Sequence, residues 1–264
     1  MTAGPITSNQ KRQLRRFVNE AVDAEVANHG LDKDGLQRLF TNGGKFQRHV
    51  ATGVRVYSAK DSNYDLARAI LGDDFISPQE VALARKGIVY SEEQIAHYAE
   101  TLPSQDVLEW FRDHNFFLHA GPPAKKPLLI VRKLKPEYFY SPTRGWYEHR
   151  RETFSRTDMA EPGWNALHKG PVPGSFGLLW PPQQQLLSER EEVPNAAAPT
   201  WGFTTYEAVR GVKLAQGTFM RTSSCDSGGS RVIVGWGRGG GFRVSDWWSG
   251  MPSPDLGVAS AWKF

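Results

Sequence analysis

Cysteine is nearly absent from this chain. The single Cys225 among 264 residues can form no intrachain disulfide and cannot assemble a cysteine-based zinc site. Any zinc would have to rest on histidine and carboxylate, and the seven histidines show no short metal-ligand spacing, so no cofactor is expected. No stretch approaches the roughly 18 uninterrupted apolar residues a membrane span requires. Residues 1–20 are polar and basic, without the apolar segment of a secretory signal. The expectation is a cytoplasmic protein with no membrane span, with non-standard export left open. Repeats and low-complexity tracts are missing as well.

What is present suffices for a core: 39% of residues are hydrophobic and 12% aromatic. The net charge is +4 and the isoelectric point near 9.1. The basic residues are dispersed apart from Lys11-Arg12-Gln13-Leu14-Arg15-Arg16 and His149-Arg150-Arg151. Short runs of this kind are common on solvated helix faces, so nucleic acid is a partner that the composition allows but does not favour.

The first half is punctuated as helices. Ser8 caps a segment to about Asn28 in which Leu14, Phe17, Val18, Ala21, Val22 and Val26 make an apolar stripe, with Gly30 as the stop. Ser77-Pro78-Gln79-Glu80 is a capping box with proline at the first helical position, and its helix is expected to end at Gly87. Ser91-Glu92-Glu93-Gln94 repeats the device. Ser104 opens a further short helix carrying Val107, Leu108, Trp110 and Phe111. The run Ala120-Gly121-Pro122-Pro123-Ala124-Lys125-Lys126-Pro127 is the clearest break, because its prolines forbid helix, and the domain boundary is placed there.

Beyond the break the texture changes. Eight of the nine tryptophans lie from Trp146 onward. Residues 128–135 read as a strand, 181–192 as one helix, and 201–210 as either. From Thr218 the pattern is β: residues 219–221, 231–234, 241–248 and 256–264, joined by glycine- and serine-rich turns. Residues 200–264 are therefore expected to form a β-structured binding surface and not a catalytic centre.

Three motifs invite chemical readings. Asp226-Ser227-Gly228-Gly229 resembles the nucleophile loop of chymotrypsin-like serine proteases, but the matching histidine segment and the length for two barrels are missing; an Asp/Ser/Gly turn is the simpler account. Gly235-Trp236-Gly237-Arg238-Gly239-Gly240-Gly241 lacks the Gly-Lys-Ser/Thr of a P-loop and precedes no helix, so it reads as a hairpin connection. The adjacent carboxylates Asp73-Asp74 and Glu191-Glu192 point in different directions and read as solvated. His114 and His119 flank an aromatic patch, where a partly buried histidine is expected in preference to a ligand.

One family pattern matches the C-terminal residues. Arg221-Thr222-Ser223-Ser224, Arg231-Val232, Val234-Gly235, Val244, Trp248 and finally Leu256-Gly257-Val258-Ala259-Ser260-Ala261 with Lys263-Phe264 resemble the variable proteins of diversity-generating retroelements. These carry a C-type-lectin-like domain of the formylglycine-generating-enzyme type. The resemblance implies an α+β protein: a helical N-terminal domain over residues 1–124, then a C-type-lectin-like mixed α/β domain with short antiparallel strands over 125–264, its variable segment at about 224–264. It also implies a ligand-binding protein, not an enzyme, whose exposed side chains at Ser230, Ile233, Trp236, Arg238, Arg243, Ser245, Asp246, Trp247, Met251, Ser253 and Asp255 choose the ligand.

The reverse transcriptase of such a system acts on the gene, not on the protein. The partner is a protein or other macromolecule that the sequence does not name, in an oligomeric state it does not fix. Adenine substitution in Asn codons leaves a pyrimidine in the third base, so Trp236, Trp247 and Met251 are fixed or come from other codons. Packing in an aromatic β core is the alternative for the tryptophans. Enzymes of this fold class use a paired cysteine, and a lone Cys225 argues against formylglycine generation. The rival readings are a hydrolase working through Ser227, an oxidase working through Cys225, and a nucleic-acid-associated protein using the basic N-terminal helix.

Overall fold

In the computed structural model, residues 7–29, 37 and 64–264 are described. Two compact units divide the chain, Met1–Ala59 and Lys60–Phe264. The first contributes helix α1 (Ser8–His29), in which Ser8 is the first helical residue and Thr7, whose carbonyl accepts from Lys11 N at 3.0 Å, takes the cap position expected of Ser8. Its Arg16 and Glu20 sit one turn apart at 3.4 Å. Both are well exposed, so the pair is worth a few tenths of a kcal/mol.

The second unit opens with α2 (Asp65–Leu71), β1 (Phe75–Ile76) and α3 (Pro78–Ala84). Local chemistry starts α3 where the sequence predicts: Ser77 Oγ accepts from Glu80 N at 3.3 Å and Glu80 Oε2 accepts from Ser77 N at 2.9 Å. The helix closes at Ala84, three residues before Gly87. The same reciprocal bonds between Ser91 and Gln94 open α4 (Glu92–Glu100), and α5 (Gln105–Asp113) follows. Next come β2 (Phe116–Ala120), β3 (Lys126–Pro127) and α6 (Leu128–Leu134).

Residues 128–134 are helical, not the strand expected from their β-branched character. Leu128, Val131 and Arg132 are buried at helical spacing, and Arg132 and Lys133 fall in the last turn, where cations suit the helix dipole. Arg132 also reaches Glu148 Oε1 at 2.6 Å. Tertiary burial outweighs β-propensity here.

After α7 (Phe154–Thr157) come β4 (Met159–Ala160), β5 (Trp164–His168), α8 (Trp180–Gln184), β6 (Glu191–Glu192) and α9 (Ala197–Arg210). The long helix expected over 181–192 is thus only the five residues of α8, and the open choice at 201–210 resolves as helix. The chain finishes with β7 (Phe219–Cys225), β8 (Arg231–Trp236), β9 (Phe242–Trp247), β10 (Leu256–Val258) and β11 (Ala261–Trp262). The protein is α+β.

Two main sheets organise the unit, ordered β1-β2-β5-β11-β6 and β10-β7-β8-β9, with a small β3-β4 pair beside them. The boundary placed at Ala124 is overturned by this pairing. β2, before the proline-rich break, runs antiparallel along β5, after it, from Phe116↔His168 to Ala120↔Trp164, and one apolar core spans both sides. Prolines and lack of apolar residues mark a surface loop as readily as a linker.

Helix α9 is the central strut, touching β5 of one sheet and β8 of the other. A Cβ added at Gly202 would stand 2.5 Å from Leu167 Cδ1 and 2.8 Å from His119 Nε2, so glycine lets the helix lie directly on the first sheet. Arg85 is fully buried against its far side, donating to Thr204 Oγ1 at 2.9 Å and Thr205 Oγ1 at 2.8 Å, with its guanidinium 4.1 Å from the Trp201 ring centroid. Burial lowers the Arg85 pKa to about 10.

Candidate ligand-binding face

Strand alternation divides the second sheet cleanly. Met220, Val232, Val234, Trp236, Phe242 and Val244 enter the core. The opposite face follows from the register Val258↔Arg221, Arg221↔Ile233, Ile233↔Ser245, Arg231↔Trp247 and Gly235↔Arg243. Residues directly across a ladder share a face. Arg243, Ser245 and Trp247 of β9 therefore stand beside Ile233 and Arg231 of β8.

Part of that face is covered by the segment carrying α8. The Arg231 guanidinium lies 4.3 Å from the Trp180 ring centroid, and Trp180 packs with Val172 and Val258 in a small second core. Gly257 makes this cover fit: a Cβ there would stand 2.3 Å from Ser175 Oγ and 2.5 Å from Pro171 Cβ. The glycine of the closing motif is thus required by close approach.

Arg221 binds the arrangement together. It is fully buried, and it donates to Leu178 O at 3.0 Å, Gln183 Oε1 at 2.8 Å and Met251 O at 2.5 Å. Gln183 in turn donates to Ser175 O at 2.8 Å and Leu256 O at 3.3 Å. One cation therefore holds the loop before α8 to the loop between β9 and β10. Burial lowers its pKa. Among the described residues no carboxylate lies within ion-pair distance of it, so charge-assisted bonds to neutral oxygens do the holding.

The two loops so joined are apolar and outward facing. Trp248 is 66% exposed, Met251 51%, Leu179 42% and Phe176 39%. Backbone bonds Trp180 N to Ser249 O at 3.3 Å and Gly177 N to Ser253 O at 3.0 Å keep the loops adjacent. Trp247 Nε1 donates to Met251 O at 2.9 Å, and Ser253 Oγ to Asp255 Oδ1 at 2.6 Å.

The eleven sequence nominees divide accordingly. Arg243, Ser245, Trp247, Met251, Ser253 and Asp255 fall on β9 or the loop after it. Asp246 is exposed but sits on the other side of β9, while Ser230 and Arg238 occupy turns at opposite ends of β8. Two nominees are corrected. Trp236 is fully buried and packs edge-on against Phe242 at 5.1 Å, so the core alternative holds for it. Ile233 is only 5% exposed, since its neighbours Arg221 and Arg231 both reach the α8 segment above it.

Sequence reasoning missed Trp248, read there as scaffold, along with Phe176, Leu179 and the tying role of Arg221. No local pattern announces these; an arginine followed by Thr-Ser-Ser in a β run was the single available sign.

Beyond Arg243, a cleft of about 190 Å³ is walled by Tyr140, Ser141, Trp146, Arg243 and Ser245. Its walls are fixed by Tyr140 N donating to Phe242 O at 2.9 Å and Trp146 Nε1 donating to Val244 O at 2.8 Å.

The protease-like motif forms a closed turn. Asp226 Oδ1 accepts from Gly228 N at 2.8 Å and Ser230 N at 2.7 Å. Ser227 offers both its N–H, at 2.9 Å, and its hydroxyl, at 2.5 Å, to the Glu152 carboxylate, and Ser224 Oγ bonds Asp158. The partner of Ser227 is thus a carboxylate where a serine nucleophile needs an imidazole base. His119 is buried against Ala120 O, and His168 bonds Gly170 O. Cys225 is exposed and free. Among the described residues no group of three or more metal-binding side chains converges, and no helix is long and apolar enough to cross a membrane. No family model, no curated protein and no solved structure matches the chain.

Proposed function

We propose that the protein binds ligands without catalysing a reaction, displaying a diversified surface at its C-terminal end as the variable protein of a diversity-generating retroelement, on a C-type-lectin-like scaffold. The observation that carries this reading is the contrast across one sheet. An unbroken core face lies on one side, and on the other the exposed Arg243, Trp248 and Met251 with the half-buried Ser245 and Trp247 are braced from beneath by buried Arg221. A surface that changes its side chains must draw rigidity from elsewhere. Here rigidity comes from backbone carbonyls and a buried cation, none of which depends on what the exposed positions carry. The pairing of Ser227 with Glu152 favours binding over hydrolysis.

The test is the nucleotide sequence around the gene. The expected finding is a near-identical repeat of the segment encoding residues 224–264, differing at adenines, with a reverse transcriptase gene nearby and with codons for Val232, Val234 and Trp236 unchanged. A gene with neither repeat nor reverse transcriptase overturns the retroelement reading.

A further inference from the structure

We propose that the β8–β9 turn and the cleft beside it bind a phosphorylated aromatic ligand of the nucleotide class, the phosphate on Lys213, Arg238 and Arg243 and the ring between Tyr140 and Trp146. This rests on the preceding reading only in taking Arg238 and Arg243 as ligand-binding residues.

Three cations border one short turn, each close to the backbone of a different glycine. A Cβ added to Gly240 would meet Lys213 Nζ at 3.0 Å, and one added to Gly237 would meet Arg243 Nε at 3.0 Å. Arg238 belongs to the turn itself, its Cγ 3.3 Å from where a Gly217 Cβ would be, and its carbonyl accepts from Gln216 Nε2 at 3.2 Å. The glycines let the charged heads come down onto the backbone. Lys213 Nζ stands 5.3 Å from the Trp236 ring centroid, and the Trp236 Nε1 donor is buried with no acceptor. On the adjoining turn Lys135 adds a fourth cation, engaged by Glu137 at 3.7 Å and Tyr138 Oη at 3.3 Å.

None of Lys213, Arg238 and Arg243 has a carboxylate within 4.0 Å among the described ion pairs. Clustered cations repel one another, and the arrangement gains most from an anion with several oxygens. Arginine forks and a lysine ammonium suit phosphate in particular.

The second half of the site is aromatic. Arg243 lies 4.1 Å from the Tyr140 ring centroid and also walls the 190 Å³ cleft. Tyr140 is 65% exposed and Trp146 37%, and both are held by the bonds to β9 described above. The cleft is smaller than the roughly 300 Å³ at which whole drug-sized ligands are taken, and is sized for a single ring. Stacking on aromatic faces beside cations is how bases are held where no base-specific bonds are made.

Calorimetric titration of the full chain with adenosine 5′-monophosphate, adenosine, inorganic phosphate and a single-stranded thymidine oligonucleotide tests this. The monophosphate is expected to bind more tightly than adenosine or phosphate alone. Lys213→Ala, Arg238→Ala and Arg243→Ala should each weaken it by about tenfold, with circular dichroism unchanged because none of the three residues is buried. Tyr140→Ala should remove the advantage of the monophosphate over phosphate. Tighter binding of the oligonucleotide assigns the ligand to a nucleic-acid strand, and equal binding assigns it to a free nucleotide. Absent binding of both nucleotide and oligonucleotide, or binding that the triple alanine variant retains, overturns the proposal. The gene-level test is separate: a repeat found without nucleotide binding removes this ligand and leaves the display reading, and nucleotide binding without a repeat does the reverse.

Discussion

Arg221 and Gln183 meet at 2.8 Å in the interior, the guanidinium donating to the amide oxygen while the amide nitrogen donates on to Ser175 O and Leu256 O. Arg221→Leu strands that buried amide oxygen and takes the donor from the half-buried Leu178 and Met251 carbonyls. The expected cost is about 3 kcal/mol, read as a lower urea midpoint with an unchanged slope. Amide exchange should quicken at residues 177–180 and 249–253 ahead of the core strands. Equal exchange across the unit would mean that the loops do not depend on Arg221.

Trp236 and Trp248 separate scaffold from display. Trp236→Ala empties a core position and should cost about 3–5 kcal/mol. Trp248→Ala removes a ring that is 66% exposed and should stay within about 0.5 kcal/mol. Thermal unfolding of the two variants checks the contrast, and comparable losses would contradict the assigned faces.

Gly257→Ala sets a methyl against Ser175 Oγ and Pro171 Cβ at distances that no packed pair tolerates. Shifting the α8 segment off β10 should cost about 1–3 kcal/mol. The accompanying sign is increased exposure of Trp180, visible as a red shift and stronger quenching of its fluorescence.

His119 is buried whole, which lowers its pKa from 6.5 to about 4, the Ala120 carbonyl opposing this and Arg85 adding to it. The unfolded chain takes up the proton first, so stability is fully present above the unfolded value near 6.5. It declines as pH falls and levels off below about 4. The integrated loss is about 3 kcal/mol. Burial lowers the His168 pKa as well, reinforcing the trend. Urea midpoints measured from pH 7 to 4 should fall, and His119→Leu should flatten much of the slope. A slope unaltered in that variant would place the linkage elsewhere.

What could be read from the sequence was what is decided locally. The capping boxes at Ser77 and Ser91 are made by residues three apart, and both appear as the sequence implies. The strands from Phe219 onward are bounded by glycine turns whose chemistry is equally local. Pairings across long separations left no such mark. Nothing near Ala124 reveals that Phe116 will lie opposite His168, so a loop on one sheet resembled a linker between two domains. Leu128 to Leu134 failed for a related reason: a short run buried on several sides carries no period to tell helix from strand. Among the nominated residues, alternation along β8 and β9 was sound, yet which face meets solvent depended on Trp236 facing the core and on a separate segment lying over Ile233.

The bond partners of Arg221 are three backbone carbonyls and an amide. An arginine keeps its proton in acid, and carbonyls and amides neither gain nor lose one there, so nothing in that joint titrates on the acid side of neutrality. Histidines elsewhere will weaken the fold in acid, but the loops bearing Leu179, Trp248 and Met251 are tied by a fastening that acidity does not reach. The geometry offered to a ligand should therefore hold its shape for as long as the protein stays folded.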